Sequence, residues 1–375
     1  MEPFKNLFSS ARVCHLAKVL KQEIPEFPVE PFIDTVLAEL DSLELKARSQ
    51  LIFSQLLRYL PKPLVCYQSQ LVNTLAPITE PQTEQILSDH PTKLSGWILM
   101  PVAEFVAAKG HSDMPLAFDL LTQITKRFTA EFAVRSLLNQ APEQALVLLK
   151  QRLSHPNVHV RRWVSEGSRP RLPWAAHFTA VIEQPALTLD ILLALKSDPS
   201  EYVRRSVANH LNDISKDHPT YFIELLAQWL PDADTQQRRL LKHASRTLIK
   251  NGDVKVLELW GYVPLQAVKC HLSCETKISI GETLNIELEL VSEATEPQPL
   301  MLDYSVWYLK KNGQLSQKVF KWKSFELPPG ATKMTKKHSF KPVTTRVYHA
   351  GHHRIDVQLN GHTLAQQTFE LLPQT

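Results

Sequence analysis

Apolar positions keep two different periods along the chain, and the change between them falls near Val268. Before that point they recur every three or four residues, the spacing of one buried helix face. Phe32, Val36 and Leu40 form one such stripe, and residues 43–60 form the next, with Asp41 or Ser42 as its cap and Pro61 and Pro63 at its end. A further helix is expected around 94–108, with Trp97, Val102, Phe105 and Val106 turned inward. Helices then come in pairs, 116–128 with 130–138, 143–153 with 158–166, 186–196 with 201–213, and 220–230 with 235–250. After Val268 apolar and polar residues alternate in about seven short runs, separated by turn signals at Asn312-Gly313, Pro328-Pro329-Gly330 and Asn360-Gly361. The pattern predicts a mainly α protein: a HEAT-like helical-repeat superhelix over residues 1–262, followed by a small all-β immunoglobulin-like sandwich over 268–375.

The repeat is visible in the letters themselves. HPNVHVRRWVS from His155 matches DPSEYVRRSVA from Asp198 at an offset of 43, a period in the range of HEAT-like repeats. One hairpin cannot bury its own apolar face, so such units stack, and equivalent positions line up. Arg161 with Arg162, Arg204 with Arg205, and Arg238 with Arg239 then recur at about the spacing of one helix layer, ~10 Å, which suits phosphates along a nucleic-acid backbone. The alternative is an Arg that pairs with an Asp of the next repeat, and one Arg of each pair is expected in each role.

Composition adds bounds. The 375 residues are 43% hydrophobic and 21% charged, which is globular and long enough for two or three domains. The apolar runs are too short to span a bilayer, and Glu2, Glu23, Glu26 and Glu30 stand where a leader would be basic and then apolar, so a cytoplasmic protein without membrane contact is expected. Net charge is only +4, but residues 150–250 hold fifteen Lys or Arg against ten Asp or Glu, which makes this region the candidate polyanion surface. The four cysteines show neither paired CxxC spacing nor an inter-sheet disulfide spacing and read as buried free thiols. No GxGxxG, Walker loop or HExxH occurs, so no metal, nucleotide or other cofactor is expected.

Residues 154–174, SHPNVHVRRWVSEGSRPRLPW, carry the candidate chemistry. The helix that starts after His155-Pro156 is stopped by Gly167, which leaves Glu166 in its last turn, where the helix dipole disfavours a carboxylate by up to about 1 kcal/mol. An acid so placed among Arg161, Arg162, Arg169 and Arg171 is either a catalytic group or one half of a solvated ion pair with Arg162.

EFAVRSLL, VRRWVSEGSRPRLPW and LKSDPSEYVRRSVANHLNDISKDHP together resemble the bacterial DNA alkylation repair glycosylases of the AlkC type, in the helical-repeat AlkD-like superfamily, some members of which carry a C-terminal immunoglobulin-like domain. The resemblance implies excision of small cationic N-alkylated bases, 3-methyladenine and 3-methylcytosine, from double-stranded DNA, and a monomer is expected. It also implies an acidic cluster of Glu131, Glu166 and Asp213. A base alkylated at a ring nitrogen leaves without a general acid, so the sites need negative charge for an oxocarbenium-like sugar and for water. Trp174 is the expected face for the cationic base. Arg162, Arg169, Arg171, Arg205 and Lys216 are the expected phosphate contacts. The competing reading is a HEAT-repeat adaptor or DNA-structure binder without catalysis, which has no use for inward-facing acids.

Overall fold

The computed structural model describes residues 3–78, 89–344 and 346–374. They form two compact units: Met1–His218 with Ala233–Ala244, and Pro219–Asp232 with Ser245–Thr375. No helix among the described residues is long and apolar enough to cross a membrane.

The first unit is helical, and side-chain caps set several of its helix starts. Asp113 accepts from Leu116 N at 3.2 Å and starts Met114–Thr125; Asn157 accepts from Val160 N at 3.2 Å and starts Val158–Gly167; Ser200 accepts from Tyr202 N at 3.1 Å and starts Glu201–Asp217. Each satisfies one backbone donor that the first turn leaves open. One expected cap fails. The helix Leu45–Tyr59 begins without a side-chain cap, because its N-cap position falls on Glu44, beyond Asp41 and Ser42, and Ser42 Oγ donates to Glu39 O at the end of the preceding helix. Val158–Gly167 packs on Glu201–Asp217, which packs in turn on Thr235–Ala244. Val160, Trp163, Val164, Val203, Val207 and Leu211 are sealed between them, and Trp163 meets the Phe118 ring at 5.9 Å.

Gly167 does not end its helix through a left-handed turn. A Cβ on Gly167 would stand 3.0 Å from Val134 Cγ1, so the glycine permits close approach of two helices instead.

In the second unit, eight strands form two sheets: β1 (Val268–Cys274), β2 (Lys277–Ser279), β3 (Thr283–Ser292), β4 (Gln298–Leu309), β5 (Leu315–Leu327), β6 (Gly330–Ser339), β7 (Gly351–Leu359) and β8 (His362–Leu372). The orders are β1-β3-β6 and β2-β8-β7-β4-β5. Leu284, Ile286, Leu288 and Leu290 of β3 alternate inward, as a strand with one buried face requires. Asn360 and Gly361 both have positive φ, 49° and 84°, which is the geometry of a tight two-residue hairpin between β7 and β8. Gly361 also meets Gly252 backbone to backbone, with no room for a side chain on either, so this hairpin is seated on the turn after the helix Arg246–Lys250. Cys270 and Cys274 are free and half-buried, whereas Cys66 is an exposed free thiol, contrary to the expectation that all four are covered.

His338 lies between two tyrosines, its Nδ1 3.0 Å from Tyr304 Oη and its Nε2 2.8 Å from Tyr308 Oη. Burial, reinforced by Arg346, pushes its pKa down to about 4. An unfolded histidine titrates near 6.5, so between these values the unfolded chain binds a proton that the folded chain refuses, and stability falls as pH drops through that window. The thermal midpoint is expected to fall from pH 7 to pH 5 more steeply in the native chain than in His338→Gln. Parallel curves would rule out this contribution.

Candidate active site

Three carboxylates come from three separate stretches of the first unit. Glu131 sits in a turn just before the helix Val134–Gln140, rather than inside the first helical turn. Glu166 lies in the last turn of Val158–Gly167, and Asp213 lies near the end of Glu201–Asp217. All three are buried, at 6%, 5% and 1% exposure, so none is a solvated surface acid.

Buried carboxylates require partners, and here two arginines run between them. Arg162 Nη1 donates to Glu131 Oε2 at 2.5 Å, and its Nη2 lies 3.6 Å from Glu166 Oε1. Arg169 Nη1 donates to Glu166 Oε1 at 2.5 Å, while its Nε and Nη2 both reach Asp213 Oδ2 at 2.8 Å. Lys216 Nζ closes the run on Asp213 Oδ1 at 2.8 Å. Acid and base thus alternate from Glu131 to Lys216. The dipole penalty on Glu166 and Asp213 at their helix ends is offset by the single guanidinium of Arg169. Burial opposes the charge of Arg162, but Glu131 and Glu166 together hold its pKa above the ordinary value.

Two further oxygens fix the acids. Ser206 Oγ donates to Glu166 Oε2 at 2.6 Å, and Thr129 Oγ1 donates to Glu131 Oε2 at 2.7 Å. Both oxygens of Glu166 and of Asp213 are therefore engaged. Glu131 Oε1 accepts from no described residue. Glu131 and Arg162 line a cavity of 300 Å³ whose aromatic walls are Trp97, Phe128, His159 and Tyr202. The Arg162 guanidinium lies 5.0 Å from the Tyr202 ring centre, a cation held against an aromatic face. Trp97, expected in the core, is only partly buried and packs on Phe128 at 5.1 Å.

Tyr202 and Ser206 were not among the sequence candidates. Their signal is the spacing 202, 206, 213, which places tyrosine, serine and aspartate on one face of a 3.6-residue helix. That face is legible only once Asp213 is known to point inward.

The other expected site residues are distributed unevenly. Arg161 makes a two-point pair with Asp198 at 2.6 and 3.0 Å and also binds the carbonyls of His155 and Pro156. Arg204 donates to the carbonyls of Asp198 and Pro199. Both hold the entry of a repeat rather than face outward. Arg169 is spent on Glu166 and Asp213, and Arg171 forms a two-point pair with Asp217 at 2.6 and 2.7 Å. Arg205 is different, because its side chain is 64% exposed and, among the described residues, holds only Glu201, one turn away. Lys216 is 40% exposed. Trp174 is 63% exposed, has φ of 68°, and lines a separate groove that contains none of the three carboxylates.

Arg135 is the organising residue that sequence reading passed over. Its five N–H groups all donate to carbonyls: Gly167, Arg169, Pro170 and, twice, Ala176. It is buried and pairs with no carboxylate among the described residues, and burial, with repulsion from Arg169 and only partly offset by Asp213, lowers its pKa to about 10. The loop that presents Arg169 is therefore tied down by one guanidinium fork. The ammonium of Arg135→Lys cannot reproduce that fork. Unfolding in urea is expected to show this variant about 1–3 kcal/mol less stable. A midpoint equal to the native chain would show that the loop holds itself.

Residues 269–373 match the family described as the C-terminal Ig-like domain of uncharacterised protein YhaZ. Over 378 aligned residues the chain is 35% identical to the uncharacterised protein YhaZ of Bacillus subtilis (strain 168), covering 99% of this chain and 100% of that one. Its structure is similar to that of the alkylpurine DNA glycosylase AlkC of Pseudomonas fluorescens bound to DNA containing an abasic site analog, with a TM-score of 0.85, 32% identity and 99% of each chain covered. On this full-length similarity, the chain belongs to the family of AlkC and YhaZ.

Proposed function

We propose that this protein is a DNA glycosylase that hydrolyses the N-glycosidic bond of small cationic N-alkylated bases in duplex DNA, 3-methyladenine and 3-methylcytosine among them. The observation that carries this reading is the buried run of three carboxylates, one of which has an oxygen that accepts from no other described residue and stands beside an aromatic-walled cavity. An adaptor has no need to bury such a run. Similarity to a DNA-bound alkylpurine glycosylase over the whole chain supports the same assignment.

The chemistry follows from charge. When the bond from the sugar C1′ to the alkylated nitrogen breaks, its electron pair passes to the base, which becomes neutral, and the sugar acquires oxocarbenium character. Water then adds to C1′ and loses a proton. Glu131, with Oε2 anchored by Thr129 and Arg162 and Oε1 open, is suited to orient that water and take the proton. Glu166 and Asp213 are fully bonded, so their part is to hold a fixed negative field and to place Arg162 and Arg169. Arg205 and Lys216, the more exposed cations, are suited to the flanking phosphates.

Glu131→Gln is expected to bind duplex DNA as the native chain does and to lose roughly a hundredfold or more in single-turnover release of 3-methyladenine, the scale of one lost electrostatic group. Glu166→Gln is expected to fall by a similar factor. Near-native release in both would refute the role of the acids, and no release by the native chain would favour the adaptor. For the phosphates, Arg205→Ala is expected to weaken damaged and undamaged duplexes equally and to flatten the log–log salt dependence by about one unit. Arg161→Ala is expected to leave that slope unchanged while lowering thermal stability, because Asp198 loses its partner.

A further inference from the structure

The aromatic cavity beside Glu131 shares one residue, Phe132, with a second cavity of 330 Å³. Phe53, Met100 and Ala108 give this groove an apolar floor, and Trp174 stands at its edge with its side chain largely in solvent. The Trp174 backbone is in the left-handed region, which a non-glycine residue occupies only when its surroundings force it. Lys46 Nζ holds its carbonyl at 2.7 Å, and Arg135 holds the carbonyl of Ala176 two residues on. The indole is thus placed by its neighbours and not by its own packing.

The polar groups of the groove are mostly committed. Lys46 and Arg135 spend their donors on carbonyls, and Asn139 Nδ2 donates to His177 O at 3.1 Å. Glu104 is the carboxyl group among the lining residues. Its Oε2 accepts from Gln50 Nε2 at 2.9 Å, and the carboxyl is only half-buried where it lines the groove. Burial, only partly offset by Lys46 and by a hydrogen bond from Ser49, raises this carboxyl to about 7. Near neutral pH it can therefore offer an O–H donor as well as an acceptor, which matches the paired ring nitrogen and exocyclic amine of a nucleobase.

We propose that this groove binds a free, neutral heteroaromatic base, stacked on Trp174 and hydrogen-bonded to Glu104, and that the base it receives is the one released at the carboxylates. The second half rests on the glycosylase reading above. Bond cleavage turns a cationic base into a neutral one and so removes its attraction to Glu131, Glu166 and Asp213. The groove, with Lys46 and Arg135 on its walls, disfavours a cation but accepts a neutral ring. Two segments connect the sites: Glu131 is followed by Phe132, and the loop that carries Arg169 goes on to carry Trp174.

Isothermal titration calorimetry of the full chain with free 3-methyladenine and with adenine tests this. Saturable binding is expected in the native chain and in Glu131→Gln, at least tenfold weaker in Trp174→Ala and in Glu104→Ala, and restored in Trp174→Phe, which keeps a stacking face. Circular dichroism of each variant separates lost binding from lost fold. No saturable heat with the native chain overturns the groove while leaving excision from DNA as an independent measurement. Binding lost in Glu131→Gln but kept in Trp174→Ala and Glu104→Ala also overturns it, because the base then sits beside the carboxylates. Binding in the groove by a chain that releases no base from methylated DNA would keep the groove and remove the glycosylase reading.

Discussion

Three carboxylates cannot be buried side by side without cations between them, and that constraint shapes the first unit. An isolated ion in a low-dielectric interior costs several kcal/mol even after relaxation, and breaking one buried pair leaves an uncompensated charge worth about 3–5 kcal/mol. Arg162 and Arg169 are therefore as necessary to the architecture as the acids they join. Each arginine links carboxylates from different elements, so the helices that carry them are fixed in mutual register as well as packed. Apolar packing of Trp163, Val164 and Val207 brings those helices together. The charge pattern then decides how they are aligned.

Around this run the backbone is held by groups that take no direct part in it. Arg135 ties the segment from Gly167 to Ala176 through five donated hydrogen bonds, and Gly167 allows Val134 to approach without a side chain between. His210 bridges Ser165 O and Thr188 Oγ1, both at 3.1 Å, and its complete burial lowers its pKa to about 3, so it holds these groups as a neutral ring. Charges held so firmly need little reorganisation, which under the proposed glycosylase reading is the condition for electrostatic catalysis.

The second unit solves a different problem. Its apolar residues alternate across two sheets, and the helical segments 219–232 and 245–262 belong to the same unit as the strands. The close meeting of Gly252 with Gly361 shows how a helical turn is seated on a strand hairpin by removing both side chains from the contact.

Much of this was legible in the sequence. The periods of three to four and of two separate helices from strands, His155-Pro156 marks a helix start, and Asn360-Gly361 marks a hairpin, because each is a local signal set by neighbours in the chain. Similarity of motifs also singled out Glu131, Glu166 and Asp213, which do come together. The tertiary structure decided the rest. Arg169 faces two acids, Arg161 an aspartate of the next repeat and Trp174 a separate groove, while Tyr202 and Ser206 join the acids. The physical reason is reach. The contacts that settle these roles join residues 31, 37, 40 and 44 apart in the chain, and sequence periodicity fixes which helix face a side chain occupies but not what the next hairpin sets opposite it.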